Sequence, residues 1–184
     1  GLLALHPRLK IDLTLDDRVL DVVSEGFDIS LRIRATLPDS SLIARRLGGV
    51  EQVFCASPAY LAKRGTPRHA GELSAHDCLM YGLAQTGARW EVTGPDGPVR
   101  IAVSPRFTVN NGLMLADLLA ADAGIGALPS FIAQPLLAEG RLTRVLADYA
   151  FAPRGIYAVY AGKRHLERKI GAFVDYLAGA LPQH

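Results

Sequence analysis

The stretch "KIDLTLDDRVLDVVSEGFDISLRI" (residues 10–33) carries two periodicities in one short run. Ile11, Leu13 and Leu15 alternate with Lys10, Asp12 and Thr14. A period of two marks a half-buried strand. From residue 16 the period changes. Apolar residues at 19, 20, 22 and 23 follow an acidic start and precede Gly26, so 16–26 reads as a short helix with a glycine stop. Residues 27–33 form a second strand. Strand, helix and strand in succession make a βαβ unit, and such a unit calls for a parallel sheet.

The alternation of strand and helix continues outward from this run. Upstream, "LLALHP" (2–7) reads as a helix end stopped by Pro7. Downstream, "PDSSLIARRLGG" is a loop running into an extended piece, and "EQVFCA" (51–56) is a strand. "SPAYLAKRG" has Ser57 as N-cap, Pro58 at the first helical position and Gly65 at the end, which are matched start and stop signals. "TPRHAGELSAHDCLMYG" holds a short helix and then a strand at 78–81. "WEVTGPDGPVRIAV" (90–103) is a hairpin about "GPDG".

A strand at 106–109 leads to a helix at 110–124 with an Asn cap and Gly124 as its C′ residue. A buried strand follows at 125–129, then a helical segment at 130–140 interrupted by Pro135, then strands in "RLTRVL" and at 155–161. The last helix places Leu166, Ile170, Phe173, Val174, Leu177 and Leu181 on one stripe. The sum is an α/β protein with a hairpin insertion. In such folds ligands sit at the carboxyl ends of strands, against helix N-termini.

Composition narrows the function classes. The chain has 184 residues, 49% of them apolar, and a formal charge of +2. It can bury a sizeable core, as one ordinary domain or two small ones. Its basic residues are dispersed, whereas a nucleic-acid surface draws them into one face. No run approaches the roughly 18 apolar residues of a membrane span, and no signal peptide is visible. The two cysteines, Cys55 and Cys78, form no spaced framework, which fits a reducing compartment.

The candidate chemistry is sparse. Cys55 lacks a histidine whose spacing would force it close, and its strand makes it a core thiol. Ser57 lacks a G-x-S-x-G elbow and reads as a cap, with or without a ligand contact. "HDC" (76–78) with His69 matches no metal spacing. "AGIGALP" (123–129) follows a helix where a dinucleotide fingerprint follows a strand. Asn110 and Asn111 open a helix that needs only one cap. Arg32 and Arg34 end a strand and could take a carboxylate bidentately or stand solvated. Trp90 reads as a sheet anchor. With no triad, paired carboxylates or phosphate loop, an enzyme is disfavoured.

The order of these pieces resembles the effector-binding domain of LysR-type transcriptional regulators. The carrying stretches are "GFDISLRI", "PDSSLIARRLG", "VFCASPAYLAKRGTP", "HDCLMYG", "AGIGALPSFIAQPLLAEGRLTRVL" and "IYAVYAGKRHLERKIGAFVDYL". The resemblance implies two Rossmann-like subdomains joined by two crossover strands, a fold of the periplasmic-binding-protein type II kind. Carried over, the crossings are "VFCASP" and "GIYAVYA". Subdomain I is then 1–56 plus 160–184, subdomain II is 57–159, and the ligand cleft lies between them.

The resemblance places effector contacts at Arg32, Arg34, Ser57, Tyr81, Gly82, Asn110, Asn111, Leu128 and Pro129. Arg34 stands where the family commonly has glycine ("LRIG"). A long cation there reshapes the pocket or favours an anionic ligand. The implied function is ligand sensing for a cytoplasmic bacterial transcription regulator, with a small-molecule effector, a homodimer, and a tetramer in the full-length protein. No cofactor, metal or membrane is implied. DNA binding belongs to a winged helix-turn-helix that the family carries ahead of this region. The chain is expected to open within the first effector-domain helix, without that helix-turn-helix, the linker helix or the first central strand. A solute-binding protein of a transport system is the alternative, and an α/β enzyme using Cys55 or Ser57 a third.

Overall fold

The computed structural model describes residues 1–16, 23–37, 41–82, 88–162 and 167–181. The chain divides into two compact units: residues 1–50 with 154–184, and residues 51–153. Both divisions fall earlier than the expected 56/57 and 159/160. The reason is pairing. Strand β3 (Gln52–Ala56) lies between two neighbours inside the second unit, and β11 (Arg154–Tyr160) is the middle strand of the first.

The first unit contains a short helix α1 (Leu2–Leu5), strands β1 (Ser30–Arg34) and β2 (Ile43–Val50), β11, and helix α5 (Glu167–Ala180). Its sheet has the order β1-β11-β2, antiparallel throughout. Leu47, Val50, Ile156 and Ala158 pack with Ile170 and Val174 of α5. Among the described residues the expected parallel βαβ unit is not formed. Residues 10–15 are not a strand, because no described segment hydrogen-bonds along them, and Leu13 and Leu15 stand 71% and 85% exposed. Most of the helix expected at 16–26 lies outside the described residues, while Gly26 holds a turn at φ 73°.

The second unit is built on a five-stranded mixed sheet, followed along the chain by its covering helices. It comprises β3, α2 (Pro58–Arg64), a 3₁₀ helix (Ala70–Ala75), β4 (Cys78–Tyr81), β5 (Arg89–Gly94), β6 (Gly97–Ala102), β7 (Pro105–Val109), α3 (Gly112–Ala120), β8 (Ile125–Pro129), α4 (Ser130–Ala138), β9 (Thr143–Val145) and β10 (Ala150–Phe151). The sheet order is β7-β4-β8-β3-β9. β4 is parallel to β7 and β8, whereas β3 is antiparallel to β8 and β9.

The sheet separates two apolar layers. On one side Leu79, Val109 and Leu128 pack with Leu115 and Leu119 of α3. On the other, Phe54 packs with the β5–β6 hairpin through an edge-to-face contact to Trp90, 5.1 Å between ring centres. Cys55 faces the α3 layer and Cys78 the hairpin layer. Gly126 lets β8 sit close to its neighbours, since a Cβ there would lie 3.1 Å from the Leu79 carbonyl oxygen. Gly124 is not the C′ residue of α3. The left-handed position after that helix is Asp122 at φ 64°, and Gly124 (φ 154°) instead passes against the Asp77 carbonyl. Pro135 sits inside α4 without ending it.

Candidate functional site at the carboxyl ends of three parallel strands

Parallel pairing brings the ends of β4, β7 and β8 together. Tyr81, the last residue of β4, is in register with Val109, the last of β7. β8 runs the same way beside β4 and ends at Pro129, opposite Gln52 at the start of β3. The chain leaves β7 through Asn110 and Asn111 into α3, and leaves β8 through Pro129 into α4. So Tyr81, Gly82, Asn110, Asn111, Leu128 and Pro129 gather at one end of one sheet.

Their roles differ. The Gly82 N–H donates to the Val109 carbonyl oxygen at 2.6 Å, and a Cβ at Gly82 would meet Thr108. Gly82 therefore closes the β4–β7 end and offers backbone alone. The Asn111 carboxamide oxygen accepts from the N–H groups of Leu113 and Met114, at 3.0 and 2.9 Å, which makes it the cap of α3. Asn110 is exposed and does not cap. Leu128 is fully buried, so its side chain belongs to the core. Pro129 carries no side-chain cap for α4, and the Ser130 N–H donates to the Glu51 carbonyl oxygen at 2.8 Å. The two helix starts are neighbours, because a Cβ at Gly112 would lie 2.9 Å from Ile132.

Ser57 is not part of this gathering. β3 runs antiparallel to β8, so the residue following β3 lies at the opposite end of the sheet. There the Ser57 hydroxyl accepts from the Tyr60 N–H at 3.0 Å and donates to the Asp122 carboxylate at 2.5 Å. It is 2% exposed. A cavity of about 310 Å³ lined by Leu79, Arg106, Phe107, Asp122 and Ala123 also involves that α3 C-terminal turn. Arg32 and Arg34 belong to the first unit, on β1, in register with Tyr157 and Gly155 of β11.

Three residues at the candidate end escaped the reading of the sequence. Leu113, Met114 and Phe131, in the first turns of α3 and α4, are 66%, 53% and 52% exposed. Large apolar groups left at the mouth of a polar strand end suit contact with a ligand's apolar part. The signal in the sequence was two helix starts that place apolar residues ahead of their buried stripe.

Burial pushes the Cys55 thiol up to about 12, opposed weakly by Arg144, so it is no nucleophile at neutral pH. Among the described residues no group of three His, Cys, Asp or Glu is placed to hold a metal ion, and no helix is long and apolar enough to cross a membrane.

The LysR substrate binding domain model matches residues 1–182. The chain belongs to that family. This LysR domain is 32% identical over 180 residues to the probable HTH-type transcriptional regulator LtrA of Klebsiella pneumoniae, covering 96% of this chain and 58% of the relative. It is 32% identical to the HTH-type transcriptional activator AaeR of Escherichia coli K12, covering 94% and 55%. The regulatory domain of CrgA from Neisseria meningitidis superposes with a TM-score of 0.87 at 31% identity, over 97% of this chain and 87% of that one. Full-length AphB of Vibrio cholerae, a virulence activator, gives 0.83 at 30% identity, over 97% and 60%. The chain thus spans somewhat over half the length of the curated relatives it matches. Relatives named as transcription regulators do not favour the solute-binding alternative. As in other LysR regulatory domains, the fold is of the periplasmic-binding-protein type II kind.

Proposed function

We propose that this chain senses a small-molecule effector for a bacterial transcription regulator, and that the sensing site includes the carboxyl ends of β4, β7 and β8. One observation carries the reading: three parallel strands deliver Tyr81, Asn110 and Pro129 to one sheet end beside two neighbouring helix starts. Strand ends of this kind are where open α/β sheets take ligands. Exposed Leu113, Met114 and Phe131 supply apolar contact, and Tyr81 and Asn110 supply hydrogen bonding. Arg32 and Arg34 belong to the proposal as the cations that meet an anionic effector. This domain is proposed to form a homodimer, and the full-length parent a tetramer that acts in the cytoplasm, binds DNA through a separate helix-turn-helix and catalyses no reaction.

Effector binding biases a regulator only where the ligand's affinity differs between two arrangements of the protein. The test is a calorimetric screen of small organic acids and neutral analogues against the chain, repeated on Asn110→Ala and Tyr81→Phe. A ligand whose affinity falls at least fivefold in both variants supports the site. Full affinity in both places the ligand elsewhere. For the parent protein, operator binding that no screened ligand alters would sink the sensing role.

A further inference from the structure

Asn110 and Asn111 are the two asparagines of the chain, and of these only Asn111 is followed by glycine. Asparagine is thermolabile. The backbone nitrogen of the next residue can attack its carboxamide carbon and close a five-membered imide. A side chain on that next residue hinders the attack, and glycine has none. Gly112 does not serve backbone freedom, since it is not among the positive-φ glycines. A Cβ at 112 would meet Ile132 Cδ1 at 2.9 Å, the far end of a flexible side chain.

The folded chain holds this reaction shut. Asn111 caps α3 at ψ 124°, and its carboxamide oxygen is taken by the N–H groups of Leu113 and Met114. At that ψ the Gly112 nitrogen is turned away from the Asn111 side chain about the Cα–C bond, whereas ring closure needs the two nearly eclipsed. Rotating ψ breaks both cap bonds and the first helical bond, from the Leu115 N–H to the Asn111 carbonyl oxygen. The attacking nitrogen itself is not the restraint. Gly112 is the first residue of α3, and an N–H in that position has no partner within its helix. Packing adds little, because Leu113 and Met114 are exposed and burial in α3 begins at Leu115. A turn tied down this lightly opens locally, ahead of the rest of the fold.

We infer that Asn111–Gly112 is a deamidation site gated by the first turn of α3. In the opened turn the Gly112 nitrogen gives its proton to solvent and bonds to Asn111 Cγ. The bond from Cγ to the side-chain amide nitrogen breaks, and ammonia leaves. Water then opens the imide at either carbonyl. Breaking the new Cγ–N bond leaves aspartate in an ordinary main chain. Breaking the original peptide C–N bond leaves isoaspartate, whose main chain runs through Cγ. The balance is water in and ammonia out, with no oxidant or cofactor. Each product adds a negative charge at the sheet end where Tyr81 and Asn110 gather. The two differ in what they do to α3. Aspartate caps as well as asparagine, and its charge suits a helix N-terminus. Isoaspartate inserts a methylene into the main chain and withdraws the side-chain acceptor. The gate and its chemistry hold whether or not that sheet end senses an effector.

The test is tandem mass spectrometry of the tryptic peptide 107–141, which holds both asparagines. The intact chain is kept for days in mildly alkaline buffer at body temperature, folded or in guanidinium. In guanidinium Asn111 should convert about tenfold faster than Asn110, and Gly112→Ala should remove the difference. In the folded chain Asn111 should convert about tenfold more slowly than in guanidinium, the protection a cap of ordinary strength gives. Amide exchange at Leu113 and Met114 should show matching protection within about threefold. Asn111→Asp, which mimics the first product, should unfold at the same guanidinium concentration as the parent or a higher one. Asn111 no faster than Asn110 in guanidinium would overturn the site, and that comparison does not depend on any variant folding. Equal rates in folded and unfolded chain, or folded conversion that rises only with global unfolding, would overturn the gate. An Asn111→Asp chain that unfolds earlier than the parent would overturn the claim that the aspartate product keeps α3 capped.

Discussion

The hydroxyl of Ser57 donates to the carboxylate of Asp122 at 2.5 Å while accepting from the Tyr60 N–H, so one buried oxygen joins the start of α2 to the turn that ends α3. Both partners lie far along the sheet from Tyr81 and Asn110. Ser57→Ala should therefore destabilise the chain without touching effector affinity. An N-cap serine contributes about 0.5–2 kcal/mol, and water replaces it at the exposed Asp122 carboxylate, so a loss of about 0.5–2 kcal/mol is expected. Urea unfolding measures it. A variant of undiminished stability but weakened effector binding would return Ser57 to the binding site.

Both cysteines are closed to reaction. Burial raises the Cys55 thiol to about 12 and the Cys78 thiol to about 11, with Asp77 adding to the second. Cys55 is 0% exposed and Cys78 1%. They also lie in separate apolar layers, so no disulfide can join them without rebuilding the sheet. With the thiolate as the reacting species, a thiol reagent at pH 8 should modify neither residue over an hour in the folded chain and both within minutes in denaturant. Rapid native modification of Cys55 would revive a nucleophilic role.

Cys55 was readable from the sequence because a thiol inside an apolar strand has one comfortable place. Ser57, and a cap at either Asn110 or Asn111, were readable for a similar reason: their signals are local, and both caps form, the second at Asn111 rather than Asn110. Ser57's position in the sheet was not local. Whether the end of β3 meets the end of β8 or its start depends on strand direction, and direction is set by connections far along the chain. The strand expected at 10–15 shows the same limit, because alternation names a strand but not its partner. Leu113, Met114 and Phe131 follow helix signals well, yet only the fold shows them uncovered.

His76 should give the chain a pH-dependent stability. The Asp77 N–H donates to the Tyr60 phenol oxygen at 2.9 Å, and that phenol lies 3.1 Å from the His76 Nδ1. The phenol can donate its proton to Nδ1 only while that nitrogen is unprotonated. Partial burial and the nearby Arg64 hold His76 below its ordinary 6.5, while Glu72 and Asp77 oppose the shift. A histidine depressed in the folded state binds fewer protons folded than unfolded. Its contribution is complete above about pH 6.5 and is lost as pH falls through the folded value. Unfolding free energy measured from pH 7.5 to 5 should decline, and His76→Gln should flatten that part of the decline. A His76→Gln profile parallel to the parent's would remove His76 as the source.

Asn110 and Asn111 offer the sharpest separation of stability from function, because adjacent identical residues have different work. Asn111 caps α3 through two N–H groups, so Asn111→Ala should cost about 1 kcal/mol in urea unfolding. Asn111→Ser should recover most of that, since serine caps nearly as well. Asn110 is exposed and makes no cap, so Asn110→Ala should change stability by less than about 0.5 kcal/mol. If its carboxamide meets the effector, the same substitution should weaken binding about fivefold to tenfold, the loss of one hydrogen bond of about 1–1.5 kcal/mol. Measuring stability and affinity on both variants separates the two roles. Asn110→Ala with unchanged affinity would take Asn110 out of the site, and Asn111→Ala with unchanged stability would mean that α3 draws its start from packing of Leu115 and Leu119 rather than from its cap.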